Sequence, residues 1–241
     1  MGGARVHVAI NGTDTAHGVP AVGTVPAALT TYAAIAELSP DLIINAGTAG
    51  GFAARGAKVG DIYLSSAVRA RACAGTYVRA QVCARMLTRA RTRLHTLAHT
   101  RARAQVRNHD RRIPLPGFDK YGDYHIAARD AVDVHRLAGE LGFKTGVVTT
   151  GNSLDATKQC MDRMGMAEAN VKDMEAAAIA YVAEAADVPW FCVKSVTDIV
   201  DGDKPTEEEF LENLGAAAES LQKALPRVLD AVAGKELGAI E

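Results

Sequence analysis

The chain has 241 residues, 48% of them hydrophobic, and a formal net charge of −1. That length and apolar content suit one domain with a single substantial core, and no uninterrupted apolar stretch of about 18 residues offers a transmembrane helix. The four cysteines (Cys73, Cys83, Cys160, Cys192) lack CxxC spacing and the N-terminus lacks a secretory or transit pattern, so a reducing, cytoplasmic setting is expected.

Val6-His7-Val8-Ala9-Ile10 reads as a first strand. A helix follows over 22–38, with Pro26 early, where a first turn tolerates it. Leu42-Ile43-Ile44 and Ile62-Tyr63-Leu64 are the next strands, and a helix over 131–141 is stopped by Gly142. Gly146-Val147-Val148-Thr149 is a further strand, succeeded by an Ala-rich helix over 175–186. Trp190-Phe191-Cys192-Val193-Lys194-Ser195-Val196 is the last strand, and a long helix spans about 207–233. Thr206 before Glu207, Glu208 and Glu209 predicts a capping box with acids in the first turn. Alternating strands and helices predict an α/β fold: one domain over 1–241, with a central mixed sheet flanked by helices. The runs near Ile44 and Val193 read as buried strands.

Charge is segregated along the chain. Residues 69–107 hold 10 Arg and no Lys, Asp or Glu, which leaves 17 basic and 28 acidic residues elsewhere, a balance of −11. The block interrupts the domain as an Arg-rich insertion, and a structureless connection of that length is foreign to a compact domain. Ten Arg would attract phosphate in a salt-sensitive way, but Tyr77 alone could stack a base there. No nucleic-acid partner is therefore expected. His95 and His99 have i, i+4 spacing with no third ligand evident, so no metal site is expected.

Two carboxylates stand at element ends, at the rim where open sheets bind ligands. Glu175 opens a helix within Val171-Lys172-Asp173-Met174-Glu175, and Asp198 closes a strand after Thr197. Acids at first helical turns commonly serve the helix dipole, and an Asp after a strand is often a turn residue.

The Gly-rich turn Asn45-Ala46-Gly47-Thr48-Ala49-Gly50-Gly51-Phe52, together with Lys172-Asp173-Met174-Glu175 and Ser195-Val196-Thr197-Asp198, resembles the nucleoside phosphorylase superfamily. The set is most similar to plant-type 5′-methylthioadenosine/S-adenosylhomocysteine nucleosidases. Val22-Gly23-Thr24-Val25-Pro26-Ala27, His109-Asp110-Arg111-Arg112-Ile113-Pro114 and Asp201-Gly202-Asp203-Lys204-Pro205-Thr206 strengthen the match. The resemblance implies hydrolysis of the N-glycosidic bond of 5′-methylthioadenosine, and of S-adenosylhomocysteine if the 5′ pocket is deep enough, releasing adenine in methionine salvage. It implies Asp198 as the acid that protonates purine N7, Glu175 as acceptor of the ribose diol, and Met174 against the ribose face. It also implies Thr48 as a hydroxyl on the ribose or nucleophile side, Lys172, Asp173 and Leu154 as substrate contacts, and Lys194 near the attacking water. No cofactor is implied, and the loop at His109-Asp110 is expected to shape a neighbouring subunit's 5′ pocket in a homodimer.

Cleaving a riboside bond builds positive charge on the sugar and negative charge on the departing base. A positioned acid contributes roughly 10²- to 10⁴-fold, so Asp198 should hold a proton near neutral pH through a raised pKa or a water chain. Phosphorolysis would need cations around phosphate. Related phosphorylases carry Arg three positions before the Thr48-equivalent, where this chain has Asn45. Three departures qualify the match: no glutamate precedes Glu37, the Arg-rich block separates Val68 from His109, and Asn152 replaces an Asp common in that motif. Missing N-terminal strands with a water-activating glutamate, and a retained intronic reading over 69–107, are the expectation. A catalytically impaired or storage-type member and a purine nucleoside phosphorylase are the alternatives.

Overall fold

The computed structural model of the chain describes residues 4–65, 67–68, 103–104, 106–109 and 132–236. Its frame is a seven-stranded mixed sheet built from β3 (Ile43–Gly51), β4 (Ile62–Ser65), β7 (Val106–Asn108), β8 (Lys144–Gly146), β9 (Val148–Thr150), β10 (Val171–Asp173) and β11 (Trp190–Ile199). The spatial order is β7-β9-β10-β3-β11-β4-β8. β1 (Thr13–Asp14) pairs with β2 (Val19–Pro20), and β5 (Ala67–Val68) with β6 (Arg103–Ala104), in small antiparallel ladders outside the main sheet. The helices are α1 (Thr24–Leu38), α2 (His135–Leu141), α3 (Lys158–Met166), α4 (Ala176–Ala185) and α5 (Thr206–Val232). The expected single α/β domain with a mixed sheet and flanking helices is what forms.

β11 is the spine. It pairs parallel with β3 and antiparallel with β4, and its residues alternate between two cores. Trp190, Cys192 and Val196 face one cluster, closed by α4 through Ala176, Ala177, Ala180 and Ala183. Those small side chains let the helix lie close to the sheet. Phe191 and Val193 face the other cluster, closed by Leu137 of α2 and by Ala224 and Val228 of α5. β8 ends the strand order and β9 stands next to the other end, beside β7, yet only Val147 separates them in the chain. The sheet therefore curls on itself. At this corner a Cβ on Gly146 would meet Asn170 Cβ at 2.5 Å, and glycine alone fits.

The expected strand 146–149 thus splits into two, each with different neighbours. The expected strand Val6–Ile10 does not form: those residues are exposed (Val8 87%), with no ladder among the described residues. An apolar alternation makes a strand only where a partner satisfies its amides. The helix expected over 131–141 begins at His135, and residue 131 lies outside the described set. α3 was not anticipated, although Thr157 caps it by accepting the Cys160 amide at 3.2 Å. The capping box at Thr206 is absent: Pro205 precedes the helix with no side-chain cap, and Glu209 bonds elsewhere. Most of 69–107, with His95 and His99, lies outside the described residues. No described helix is long and apolar enough to cross a membrane.

Candidate active site

Two rungs across β10, β3 and β11 carry the charged side chains. In one, Gly50 of β3 is level with Lys172 of β10 and with Asp198 of β11. A Cβ on Gly50 would lie 2.6 Å from Asp198 Oδ2, so the bare backbone makes room for the carboxylate. In the other, Gly47 is level with Lys194, and a Cβ there would lie 3.5 Å from Lys194 Nζ. Glu175 follows the end of β10 by two residues and lies near enough to Lys194 to help raise its pKa.

Asp198 is buried, and a register slip between Val196 and Asp198 marks a β-bulge that re-aims its side chain. The Thr197 hydroxyl donates to Asp198 Oδ1 at 2.6 Å, with the Ala49 carbonyl 3.2 Å away. Burial pushes the Asp198 pKa above the usual carboxylate value, the Thr197 bond and Lys172 pull it back, and Glu209 adds to the rise. The net effect favours the protonated form.

Glu175 occupies the position just before α4 and is half-buried. Its Oε1 accepts the Gly23 amide at 2.8 Å, tying the β10–α4 turn to the entry of α1. Gly23 has φ 95°, a left-handed conformation that suits glycine. Asn152 Oδ1 secures the same entry by accepting the Thr24 amide and hydroxyl, each at 2.9 Å. Beneath Glu175, Lys194 Nζ and Asp173 Oδ2 form an ion pair at 2.7 Å, with side chains 2% and 0% exposed. Asp173 also accepts the Thr150 hydroxyl at 2.6 Å and the Ala176 amide at 3.0 Å, while Thr150 Oγ1 accepts the Ala177 amide. Burial alone would lower the Lys194 pKa, but Asp173 foremost, then Cys192 and Glu175, hold it above the ordinary value. Burial pushes the neighbouring Cys192 thiol up to about 12.

Lys172 Nζ donates to the Ser153 and Leu154 carbonyls, both at 2.7 Å, and so fixes the loop leading to α3. Burial lowers its pKa, opposed by Asp198 and Asp155. The Leu154 side chain is 39% exposed, and Met174 and Thr48 are half-buried, Thr48 being level with Ser195. Asn45 turns inward: its Oδ1 lies 3.4 Å from Lys194 Nζ and its amide reaches Cys192 Sγ at 3.6 Å. The nearest arginine along the chain, Arg55, sits on the surface 3.9 Å from Glu168. Glu37 is exposed in the last turn of α1, 14 residues or about 21 Å from Gly23. His109 is buried, its Nδ1 3.1 Å from Thr149 Oγ1; Asp110 lies outside the described residues. A cleft of about 550 Å³, walled by Asp155, Met161, Val200 and Lys204, begins two residues beyond Asp198 and contains neither carboxylate.

The sequence-derived residues thus separate. Asp198 and Thr48 lie on the β3–β11 ladder and Glu175 follows Met174 at the start of α4, whereas Asp173 and Lys194 are engaged with each other. Lys172 and Leu154 meet through a backbone carbonyl. Thr150, Thr197 as a hydrogen-bond donor, Gly23 and Glu209 were not singled out. Their contacts join segments far apart in the chain, and only the adjacency of Thr197 to Asp198 was a local signal.

The curled mixed sheet, with Asp198 set against the bare backbone of Gly50 on its central strand, points to the same superfamily as the sequence motifs. Residues 1–230 match the family described as the phosphorylase superfamily, and the chain belongs to it. The 5′-methylthioadenosine/S-adenosylhomocysteine nucleosidase of Arabidopsis thaliana is 40% identical over 231 residues, 96% of this chain and 75% of that protein. The 5′-methylthioadenosine nucleosidase of the same plant is 40% identical over 233 residues, 97% of this chain and 72% of its own length. The solved apo structure of the Arabidopsis thaliana 5′-methylthioadenosine nucleosidase superimposes with a TM-score of 0.74 at 39% identity, covering 95% of this chain and 77% of that one.

Proposed function

We propose that this protein is a purine nucleosidase that hydrolyses the N-glycosidic bond of 5′-methylthioadenosine, releasing adenine and the free thioribose. The observation that carries the reading is the buried Asp198, its pKa raised, against the bare backbone of Gly50, with Glu175 at the head of α4 beside Lys194. Asp198 donates its proton to N7 of the base as the bond between N9 and C1′ breaks, so the departing purine leaves neutral. Glu175 accepts hydrogen bonds from the 2′- and 3′-hydroxyls, and its negative charge stabilises the cation developing on the sugar. Water adds to C1′ and gives up a proton to solvent, from which the Asp198 carboxylate is reprotonated, and the water oxygen becomes the new anomeric hydroxyl. Met174 and Thr48 border the sugar, and Leu154, held by Lys172, borders the base. Lys194 and Asp173 act from below by fixing the start of α4.

Water rather than phosphate is the nucleophile, because the Asn45 side chain is turned into the Lys194–Asp173 network and brings no cation to the surface. The reaction belongs to methionine salvage, and the buried thiol of Cys192 fits a cytoplasmic setting. A homodimer is supported by the outer face of α1, where Val25, Leu29 and Tyr32 are 70%, 66% and 58% exposed beside Val22 at 60%. The test is adenine release from 5′-methylthioadenosine and from S-adenosylhomocysteine, with and without phosphate, by the wild type and by Asp198→Asn. No release by the wild type, or release that requires phosphate, removes the reading. Light scattering on the eluted protein decides the dimer.

A further inference from the structure

The amide following Asp198 in the chain is held by a side chain from another element. Ile199 N–H donates to Glu209 Oε2 at 2.7 Å, from the first turn of α5. An acid in that turn would ordinarily serve its own helix, and here it reaches out to β11 instead. The site of that reach is significant. The β11–β3 register slips between Val196 and Asp198, so the ladder on this stretch is irregular and the backbone direction is not fixed by pairing alone. Val200 N–H returns to the Gly51 carbonyl at 2.8 Å, and Lys204 of the connecting loop pairs with Glu212 on the same helix. Thr197 holds the Asp198 carboxylate from one side. Glu209 holds the peptide on the other.

We propose that Glu209 is a positioning residue for Asp198: by accepting the Ile199 amide it locks the bulged end of β11 and so aims the Asp198 side chain at the base of the nucleoside. The inference rests on the reading of Asp198 as leaving-group acid. The charged groups facing this pair are Lys172 from β10, Lys204 from the connecting loop, and Glu208 and Glu212 of α5, which act on Lys204 together with Glu209.

The experiment compares Glu209→Ala, Glu209→Gln and Asp198→Asn in adenine release, alongside the Asp198 carboxyl titration followed by NMR. In Glu209→Ala, kcat falls by about 10- to 100-fold, the usual cost of misplacing a reacting group by about an ångström, while KM stays close to wild type. Glu209→Gln restores most of kcat, because an amide oxygen still accepts the Ile199 N–H. If Glu209→Ala does not fold, Glu209→Met, similar in volume but without an acceptor, gives the same readout. Wild-type kcat in the Ala variant, a KM rise in place of the kcat loss, or a Gln variant as impaired as Ala overturns the inference. Full activity in Asp198→Asn, or no adenine release by wild type, refutes the function instead. The titration then decides: the Asp198 signal must differ between the Ala and Gln variants, and identical curves overturn the role of Glu209.

Discussion

Replacing Lys194 with Met removes one charge from a pair closed to water and keeps most of the stem's volume. The partner Asp173 is left 0% exposed, with the Thr150 hydroxyl at 2.6 Å and the Ala176 amide at 3.0 Å as its remaining donors. Removing one member of a buried pair costs about 3–5 kcal/mol, and because two donors survive on Asp173 the low end applies, about 3 kcal/mol. Urea unfolding followed by circular dichroism reads this as a midpoint lowered by about 1–1.5 M, for a slope of about 2–3 kcal/mol/M. Adding Asp173→Asn neutralises the stranded group, and the double variant should regain a large part of the loss. A single-variant loss below about 1 kcal/mol, or a double variant no better than the single, would refute the claim that this pair anchors the start of α4. The Lys194 pKa lies above 10.5, so the contribution of the pair is complete below that pH and is lost only as pH rises through the higher folded value. An alkaline melt of the wild type should show that loss.

Other outcomes follow from the same geometry. Asp198→Asn should lower kcat by about 10²- to 10⁴-fold in the adenine-release assay, and wild-type turnover should decline as pH rises through the raised Asp198 pKa. A carboxyl whose folded pKa is raised destabilises the native state once ionised, so Asp198→Asn should melt higher than wild type at neutral pH and equal to it below about pH 3.8. Thr197→Val removes a bond that favours the ionised form; NMR titration should show the Asp198 pKa rising further, with kcat reduced. Gly50→Ala places a methyl 2.6 Å from both Asp198 Oδ2 and Val200 Cγ2 and should cost about 1–3 kcal/mol of stability by thermal melt. It should also lower kcat, and a fully active, wild-type-stable Gly50→Ala protein would contradict the close approach.

The elements with strong local pattern were legible in the sequence. The continuous apolar run of β11, the alanines of α4 and the acid-led start of α5 all predict what forms, and the motif around Glu175 and Asp198 led to the superfamily. Legibility failed where a feature depends on distant partners. Val6–Ile10 has the alternation of a strand and no ladder to join. Residues 146–149 read as one strand, but Gly146 packs on Asn170 and the chain passes there from one edge of the sheet to the strand next to the other edge. β10 is only three residues long, too short for any period to show. Glu209 read as part of a cap because its true acceptor role is to an amide on another strand. The resemblance implied Asp173 as a substrate contact and Lys194 near the attacking water, and their mutual burial has no signature in one dimension.

The bond from Gly23 to Glu175 fastens the turn before α4 to the mouth of the first long helix. Asn152 is a second tether at the same point. The helix entered there is the one whose outward side carries Val25, Leu29 and Tyr32, so the placement of that apolar face depends on two side chains more than 120 residues further along the chain.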